Sequence, residues 1–506
     1  MLKRVTQEAI SKESKARPMH SILRIKKFIT EILNNRTMQK RFQFYIALFI
    51  VVVSSCTVGK NYQRPELELP QQFGTTAPSD TNSIASMEWR QFFTDTTLQR
   101  LIDHALSGNF DLQIAMKRID EAQAYVKQAK MNYVPTAQVQ ASASTSTPSD
   151  NSLNGKSLES FLGKSHVEDY TLSLGVSWEI DVWGKIKRQK EAALANYLQT
   201  YEGARAVETS LIANIANSYF NLLMLDTQLN ITRKNLALSD TIVQMMHLQK
   251  QAGQVTQLAV QQTEVQRQTA AILVPQLEQE IAIQENAIRI LSGELPSAIV
   301  RNAQLQNFNV TDNLPTGLPA AMISRRPDVR ANEMALVAAN ANVGIAQAEM
   351  YPSFNITATG GLNAFKASKW FSMPSSLFAT AAGTITQPVL QHRQLKTQVE
   401  VAKVQREEAV ISFRQSALNA IGEVVNALVR LDKLKAQRQI TSAQVDTLQK
   451  AISNAELLFK SGLADYLEVI TAQSNSLNAE LSLADIRRQQ LSAMVELYRS
   501  LGGGWR

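Results

Sequence analysis

The chain has 506 residues, 52 Lys and Arg against 44 Asp and Glu, a formal charge of +8, 44% hydrophobic residues and a single cysteine. This is a globular composition, and one cysteine excludes an intrachain disulfide scaffold or a cysteine-rich zinc or iron–sulfur site. The charge is local: residues 1–55 hold eleven Lys/Arg and three Asp/Glu, while residues 56–506 hold 41 of each sign. The bulk of the chain therefore offers no net basic field to nucleic acid.

The basic N-terminus reads as a targeting segment. Arg36, Lys40 and Arg41 precede the apolar run FQFYIALFIVVV at 42–53, followed by Ser54, Ser55 and Cys56. Twelve residues are short of the roughly 20 that a spanning helix needs, so the run predicts a signal h-region rather than an anchor. V-S-S-C resembles the lipobox of bacterial lipoproteins, which implies a lipid on Cys56 after cleavage. Thr57 in place of Asp favours the outer membrane over inner-membrane retention. Met38 is a second candidate start, since MQKRFQFYIALFIVVVSSC is a signal of ordinary length. An uncleaved anchor or an ordinary soluble core helix is the alternative for this segment.

Residues 56–97 carry the Pro- and Gln-containing stretch NYQRPELELPQQF and predict an extended tether. Residues 98–293 and 324–506 then read as two copies of one unit, joined by a linker at 294–323. Segments 111–135 and 328–352 match in length and in both terminal residues, Asp and Pro, and each predicts a helix with Asp in its first turn. After each proline the period changes from helical to two. Hairpins are expected within 136–181 and 353–388, giving four strands of about ten residues, the length that spans an outer membrane at a tilt. The connections, 148–169 and 363–376, are polar and turn-rich. Four strands cannot close a barrel alone, so a membrane reading requires several chains to share one; a small soluble sheet packed on helices is the alternative. Segments 184–250 and 394–460 contain no proline and predict helices of 67 residues, roughly 100 Å each. Each ends at a glycine turn, Gly253 or Gly462, and returns as a second helix; Gly253 to Gly293 and Gly462 to Gly502 are both 40 residues. Narrow apolar stripes among Gln, Asn, Ser and Thr suit coiled-coil contacts with the other faces wet, in a conduit wall or in an ordinary solvated coiled coil.

In this order, C-T-V-G-K-N-Y-Q-R-P, S-W-E-I-D-V-W-G-K, S-R-R-P-D-V-R-A-N-E, A-E-M-Y-P-S-F, T-Q-P-V-L and G-L-A-D-Y-L-E-V-I-T-A-Q resemble the outer-membrane efflux protein family of TolC-like channels, within its lipid-anchored OprM-like branch. The resemblance covers residues 56–506. It implies a mainly α protomer with a membrane β-barrel, and a homotrimer whose twelve-stranded barrel is continued by an α-helical barrel. It also implies an exit duct for an inner-membrane pump, coupled through a periplasmic adaptor that docks at the tips near Gly253 and Gly462. Carried over by position, Leu467 falls on an apolar constriction and Glu468 on a ring carboxylate, with Asp465 and Thr471 beside them in the gate. Thr471 stands where the family often has Asp, and Leu258 and Ala259 stand where some relatives carry Thr-Asp. Solvated helix carboxylates are the plainer account of Asp465 and Glu468.

No HExxH motif or phosphate loop occurs, the five histidines are scattered, and no catalytic residue, metal site or cofactor is expected beyond the lipid on Cys56. Arg325 and Arg326, ahead of a helix starting at Pro327, suit a structural role better than an anion site. The competing functions are a periplasmic adaptor lipoprotein, expected to carry one helical hairpin rather than two, and an anchored coiled coil without a pore.

Overall fold

The structure, a computed structural model, describes residues 58–70, 73, 83–308 and 315–505. The signal segment, Met38 and Cys56 lie outside the described residues. In chain order the elements are α1 (Trp89–Phe92), α2 (Thr96–Gly108), α3 (Phe110–Met131), β1 (Thr136–Ser146), α4 (Leu153–Leu162), β2 (Val167–Ile180), α5 (Lys185–Gln251), α6 (Gln257–Leu291), α7 (Pro319–Arg325), α8 (Pro327–Ala348), β3 (Ser353–Ala364), β4 (Leu377–Thr386), α9 (Gln394–Lys460) and α10 (Tyr466–Ser500). They divide into two compact units. One contains Asn132–Arg188 and Gly344–Lys396 with the described residues up to Lys60; the other contains Asn61–Met131, Gln189–Val343 and Thr397–Arg506.

The first unit is a four-stranded antiparallel sheet in the order β1-β2-β3-β4. Its register settles what alternation alone left open. Leu174 pairs with Val139 and Gly360, Trp178 with Ile356, and Ile180 with Phe354, which pairs in turn with Ile385. Paired residues of an antiparallel sheet share a face, so Ala, Val, Leu, Ile, Phe and Trp fill one side. The opposite side collects Gln138, Gln140, Ser173, Ser177, Asn355, Thr357, Thr359 and Thr384. The apolar side is not covered within the protomer: Val139 is 73% and Ile385 68% exposed. A soluble sheet turns such a face inward, whereas a lipid-facing sheet turns it out. Sheet order leaves β1 and β4 as free edges, which cannot persist in lipid without a partner.

The connection between β1 and β2, read from sequence as polar and turn-rich, contains α4. Its start is capped by Ser152, whose hydroxyl accepts from the Gly155 amide at 3.1 Å, and its end by Gly163 at φ +61°. Local caps fixed at both ends let this polar ten-residue segment form a helix.

The second unit is helical. Helices α5 and α9 are 67 residues each and α6 and α10 are 35 each, lengths that need tertiary packing on an apolar face. The main core supplies it, from Leu211, Ile215, Tyr219, Phe220, Leu222 and Leu223 of α5, Phe413, Ala420 and Val424 of α9, Leu277 and Ile288 of α6, and Leu491, Val495 and Tyr498 of α10. Ile84, Trp89 and Phe93, within the stretch read as tether, are buried in this core, and Phe92 stacks on Tyr498 with ring centroids 4.1 Å apart. Each large side chain so buried contributes ~1.5–3 kcal/mol before entropy is subtracted. Pro275 lies inside α6 and leaves one carbonyl of that helix without its backbone donor. No helix among the described residues is long and apolar enough to cross a membrane.

Candidate functional site

The glycine turns share one backbone solution. After α5 the Gly253 amide donates to Lys250 O at 2.9 Å and the Gln254 amide to Gln249 O at 2.9 Å; after α9 the Gly462 amide donates to Phe459 O at 3.1 Å and the Leu463 amide to Leu458 O at 2.9 Å. These are Schellman closures, and they require a left-handed residue after the helix, here Gly253 at φ +73° and Gly462 at φ +74°. Both return helices begin three residues later with a capping position. Thr256 caps α6 by accepting from the Ala259 amide at 3.3 Å. Asp465 caps α10 by backbone position only; its carboxylate makes no capping hydrogen bond.

Leu467, Glu468 and Thr471 stand on one exposed face of α10, three and four residues apart, with Leu467 56% exposed. The face continues through the exposed Asn475 and Asn478, while Val469, Ile470, Gln473, Ser476 and Leu477 are buried on the other side. Asp465 and Glu468 place two carboxylates at the positive end of α10, where they are favoured by the helix dipole. The structure thus brings together the four residues singled out from sequence, as an exposed strip rather than as a pocket. His247 is half exposed, its Nε2 3.9 Å from the Glu264 carboxylate.

What holds this end is slight. Its buried residues are Ile242, Met246, Ala259, Val260, Ala455 and Val469, with Leu238, Val255, Phe459 and Tyr466 packed around them. The Tyr466 hydroxyl donates to the Gln262 side-chain oxygen, linking the two hairpins, and Arg267 pairs with Asp240 within the first. This cluster is far smaller than the main core, and sparse apolar packing is the property of segments that open at low cost.

At the far end of the hairpins lies a junction of which sequence reasoning had Arg326, as a structural residue at a helix start, but missed Asn109. Asn109, just before α3, donates from Nδ2 to Leu291 O at 2.9 Å and accepts from the Leu112 amide at 2.9 Å. In the second repeat the matching position is Arg326, just before α8, which donates to Ser500 O at 3.1 Å. Arg326 also pairs with Asp328 at 2.6 Å and Glu423 at 2.8 Å, and Arg499 reaches the same Glu423 at 3.2 Å. Burial acts to lower the Arg326 pKa, but these carboxylates outweigh it and raise it. Burial would likewise raise Asp328, and the Arg326 guanidinium overcomes this and holds the carboxyl below its ordinary value. The Arg-Arg-Pro-Asp run therefore serves an internal ion-pair network. The signal that would have found Asn109 is its place two residues before Asp111, as Arg326 is two before Asp328.

A family model described as outer membrane efflux protein matches residues 101–294 and 318–503, more than half of the chain. The cation efflux system protein CusC of Escherichia coli is 29% identical over 473 residues, covering 92% of this chain and 99% of CusC. A probable outer membrane lipoprotein of Salmonella typhimurium, SilC, is 28% identical over 470 residues, 91% of this chain and 98% of SilC. Among solved structures, the outer-membrane channel OprN superposes with a TM-score of 0.81 at 27% identity, covering 89% of this chain and 100% of OprN.

Proposed function

Because the chain belongs to the outer membrane efflux protein family, we propose that it is the outer-membrane exit channel of a tripartite efflux pump, passing small molecules from the periplasm to the exterior. The observation that carries this reading is the sheet register, which makes one face largely apolar and mostly exposed and the other Ser-, Thr-, Asn- and Gln-rich, as a water-filled pore in lipid requires.

The protomer is one third of the channel. The free edges of β1 and β4 join between neighbours, and three copies make a twelve-stranded barrel. The helices carry matching evidence of incompleteness. On α6 the exposed Leu258, Val265, Ile272, Ile283 and Ile290, and on α9 the exposed Val404, Ile411, Leu418, Val429 and Ile440, recur at steps of seven and eleven residues. Such steps keep a seam on one side of a supercoiled helix. Two different stripes suit a head-to-tail ring, in which α6 of one copy meets α9 of the next. A periplasmic adaptor docks at the tips around Gly253 and Gly462. Leu467, Glu468, Asp465 and Thr471 line the gate at that end, where three copies of Glu468 on the axis attract cations and oppose closure. Cys56 carries the lipid anchor, and energy comes from the pump, since no catalytic constellation is proposed.

Reconstitution of the purified full chain into planar bilayers tests the reading. Discrete conductance steps from trimeric protein are expected. Well-folded protein extracted from the outer membrane that gives no pores overturns the channel and favours the adaptor or the non-conducting coiled coil.

A further inference from the structure

Residues 365–376, which join β3 to β4, read F-K-A-S-K-W-F-S-M-P-S-S, with two lysines, three aromatic rings and no carboxylate. This loop is built rather than loose. The Lys369 amide donates to Lys366 O at 2.9 Å, the Ser372 amide to Lys369 O at 3.1 Å and the Ser376 amide to Ser372 O at 2.9 Å. The Ser376 hydroxyl also donates to Lys369 O at 2.7 Å. Yet its apolar side chains are uncovered: Phe365 is 60%, Phe371 65% and Met373 69% exposed. Lys366 Nζ lies 5.9 Å from the centroid of the Phe365 ring, and neither Lys366 nor Lys369 has a carboxylate partner among the described residues.

The patch continues the apolar face of the sheet. Trp370 packs on Tyr170 with ring centroids 5.5 Å apart and on Phe371 at 5.1 Å. Tyr170 pairs with Ala143 and Ala364, on the same face as Leu172 and Leu174. Aromatic rings at the end of a lipid-facing surface sit at headgroup depth, and lysines there extend their charge to phosphate while their stems stay in the apolar layer. The β1–β2 connection provides the contrast: its Lys156 and Lys164 are matched by Asp150 and Glu159.

We propose, resting on the channel reading above, that the β3–β4 loop is a lipid-binding foot whose Lys366 and Lys369 take the anionic phosphate headgroups of the outer leaflet while Phe365, Trp370 and Phe371 seat it in the interface. A preorganised loop of exposed rings with two lysines that have no carboxylate partner among the described residues fits a headgroup layer better than a second copy of itself, because two such loops repel. A soluble phosphate would leave the rings in water.

The test uses the full chain purified in non-ionic detergent, with retained lipid counted by native mass spectrometry after adding phosphatidylglycerol or phosphatidylcholine of the same acyl chains. The wild-type chain is expected to prefer phosphatidylglycerol, and Lys366→Ser with Lys369→Ser to lose about fivefold of that preference per lysine. Arginine at both positions should retain it. Equal preference in the serine double variant overturns the proposal, as does equal retention of the two lipids by wild type or competition by millimolar inorganic phosphate. Loop-driven pairing of chains that the serine variant abolishes would assign the patch to a second copy and equally overturn it. Conductance of the same preparations separates the two readings: pores with no lipid preference sink the foot alone, and an absence of pores in wild type sinks the channel.

Discussion

At the end of α5 the chain turns at Gly253 with φ +73°, and at the end of α9 at Gly462 with φ +74°, through the same pair of hydrogen bonds. At the other end Asn109 and Arg326 stand at matching positions and each reaches the final carbonyl of a return helix. Backbone geometry has been kept in both repeats, while the residues at the junction position and at the tip differ in charge. Repeat 1 closes its junction with a neutral amide and puts Thr256 and Ala259 at its tip; repeat 2 uses a buried ion-pair network and puts Asp465 and Glu468 there. The first hairpin has ion pairs along its length, such as Arg301 with Asp226 and Glu285, but it has no charge at the two tip positions or at the matching junction residue. A third difference lies where the long helices start. Gly184 at φ +77° precedes α5, and the matching position before α9 is Arg393, at φ +68° beside His392 at +47°, a region that costs a residue with a Cβ about 1 kcal/mol.

The comparison breaks most readily at the junction. Arg326→Ala should destabilise the folded chain by roughly 2 kcal/mol, because the buried guanidinium loses charge-assisted hydrogen bonds to Asp328 and Glu423, whose partial exposure screens the rest, whereas Asn109→Ala should cost about 1 kcal/mol for neutral hydrogen bonds. Denaturant unfolding in detergent measures both, and equal costs would mean that the network adds nothing over the amide. The same asymmetry carries a pH dependence. Asp328 has a depressed folded pKa, so its contribution is complete above the unfolded carboxylate range and is lost as pH falls through the lower folded value, below about pH 4. Removing it as Asp328→Asn should flatten the acid limb of stability; a limb unchanged in that variant would place the acid sensitivity elsewhere.

The starts of the long helices give a smaller effect of opposite sign in the two repeats. Arg393→Gly should stabilise by about 1 kcal/mol and Gly184→Arg should destabilise by about as much. If Arg393→Gly destabilises instead, the arginine side chain contributes more than its backbone costs. At the tips, Gly253→Ala and Gly462→Ala should each cost about 1 kcal/mol, since an added Cβ meets nothing within 4 Å at either site and only the backbone penalty remains. The proposed gate residue is expected to change stability least and permeation most: Glu468→Ala should reduce cation selectivity in planar-bilayer recordings, and unchanged selectivity would remove Glu468 from the gate.

Much of this was legible in the sequence for definite reasons. The long helices were expected at 184–250 and 394–460 and are Lys185–Gln251 and Gln394–Lys460, because an uninterrupted apolar stripe that ends at a glycine turn leaves little freedom. The strands were legible from alternation, but which residues share a face required the register, as with Trp178 and Ile356. Helix α4 was hidden because its start and stop depend on Ser152 and Gly163 rather than on periodicity. The burial of Trp89 and Phe93 was hidden by their polar surroundings in sequence, since they are packed by residues hundreds of positions away such as Tyr498. For the proposed gate residues, the strip formed by Leu467, Glu468 and Thr471 was legible in the sequence. It gave no sign of how thin the packing beneath them is, a property of four helices at once.

The equal length of the two return helices, 35 residues in each of α6 and α10, acts as a ruler. Left-handed glycines mark its ends, Gly253 and Gly293 in one hairpin, Gly462 and Gly502 in the other. A single inserted residue would turn everything beyond it by about 100° and advance it by about 1.5 Å, moving one tip's side chains off their face and out of level with the other tip. Length can therefore change only in whole seams of about seven or eleven residues, and in both hairpins together. The span between tip and junction is then inherited as one quantity, and a pump component cut to a different span would meet this channel at the wrong height.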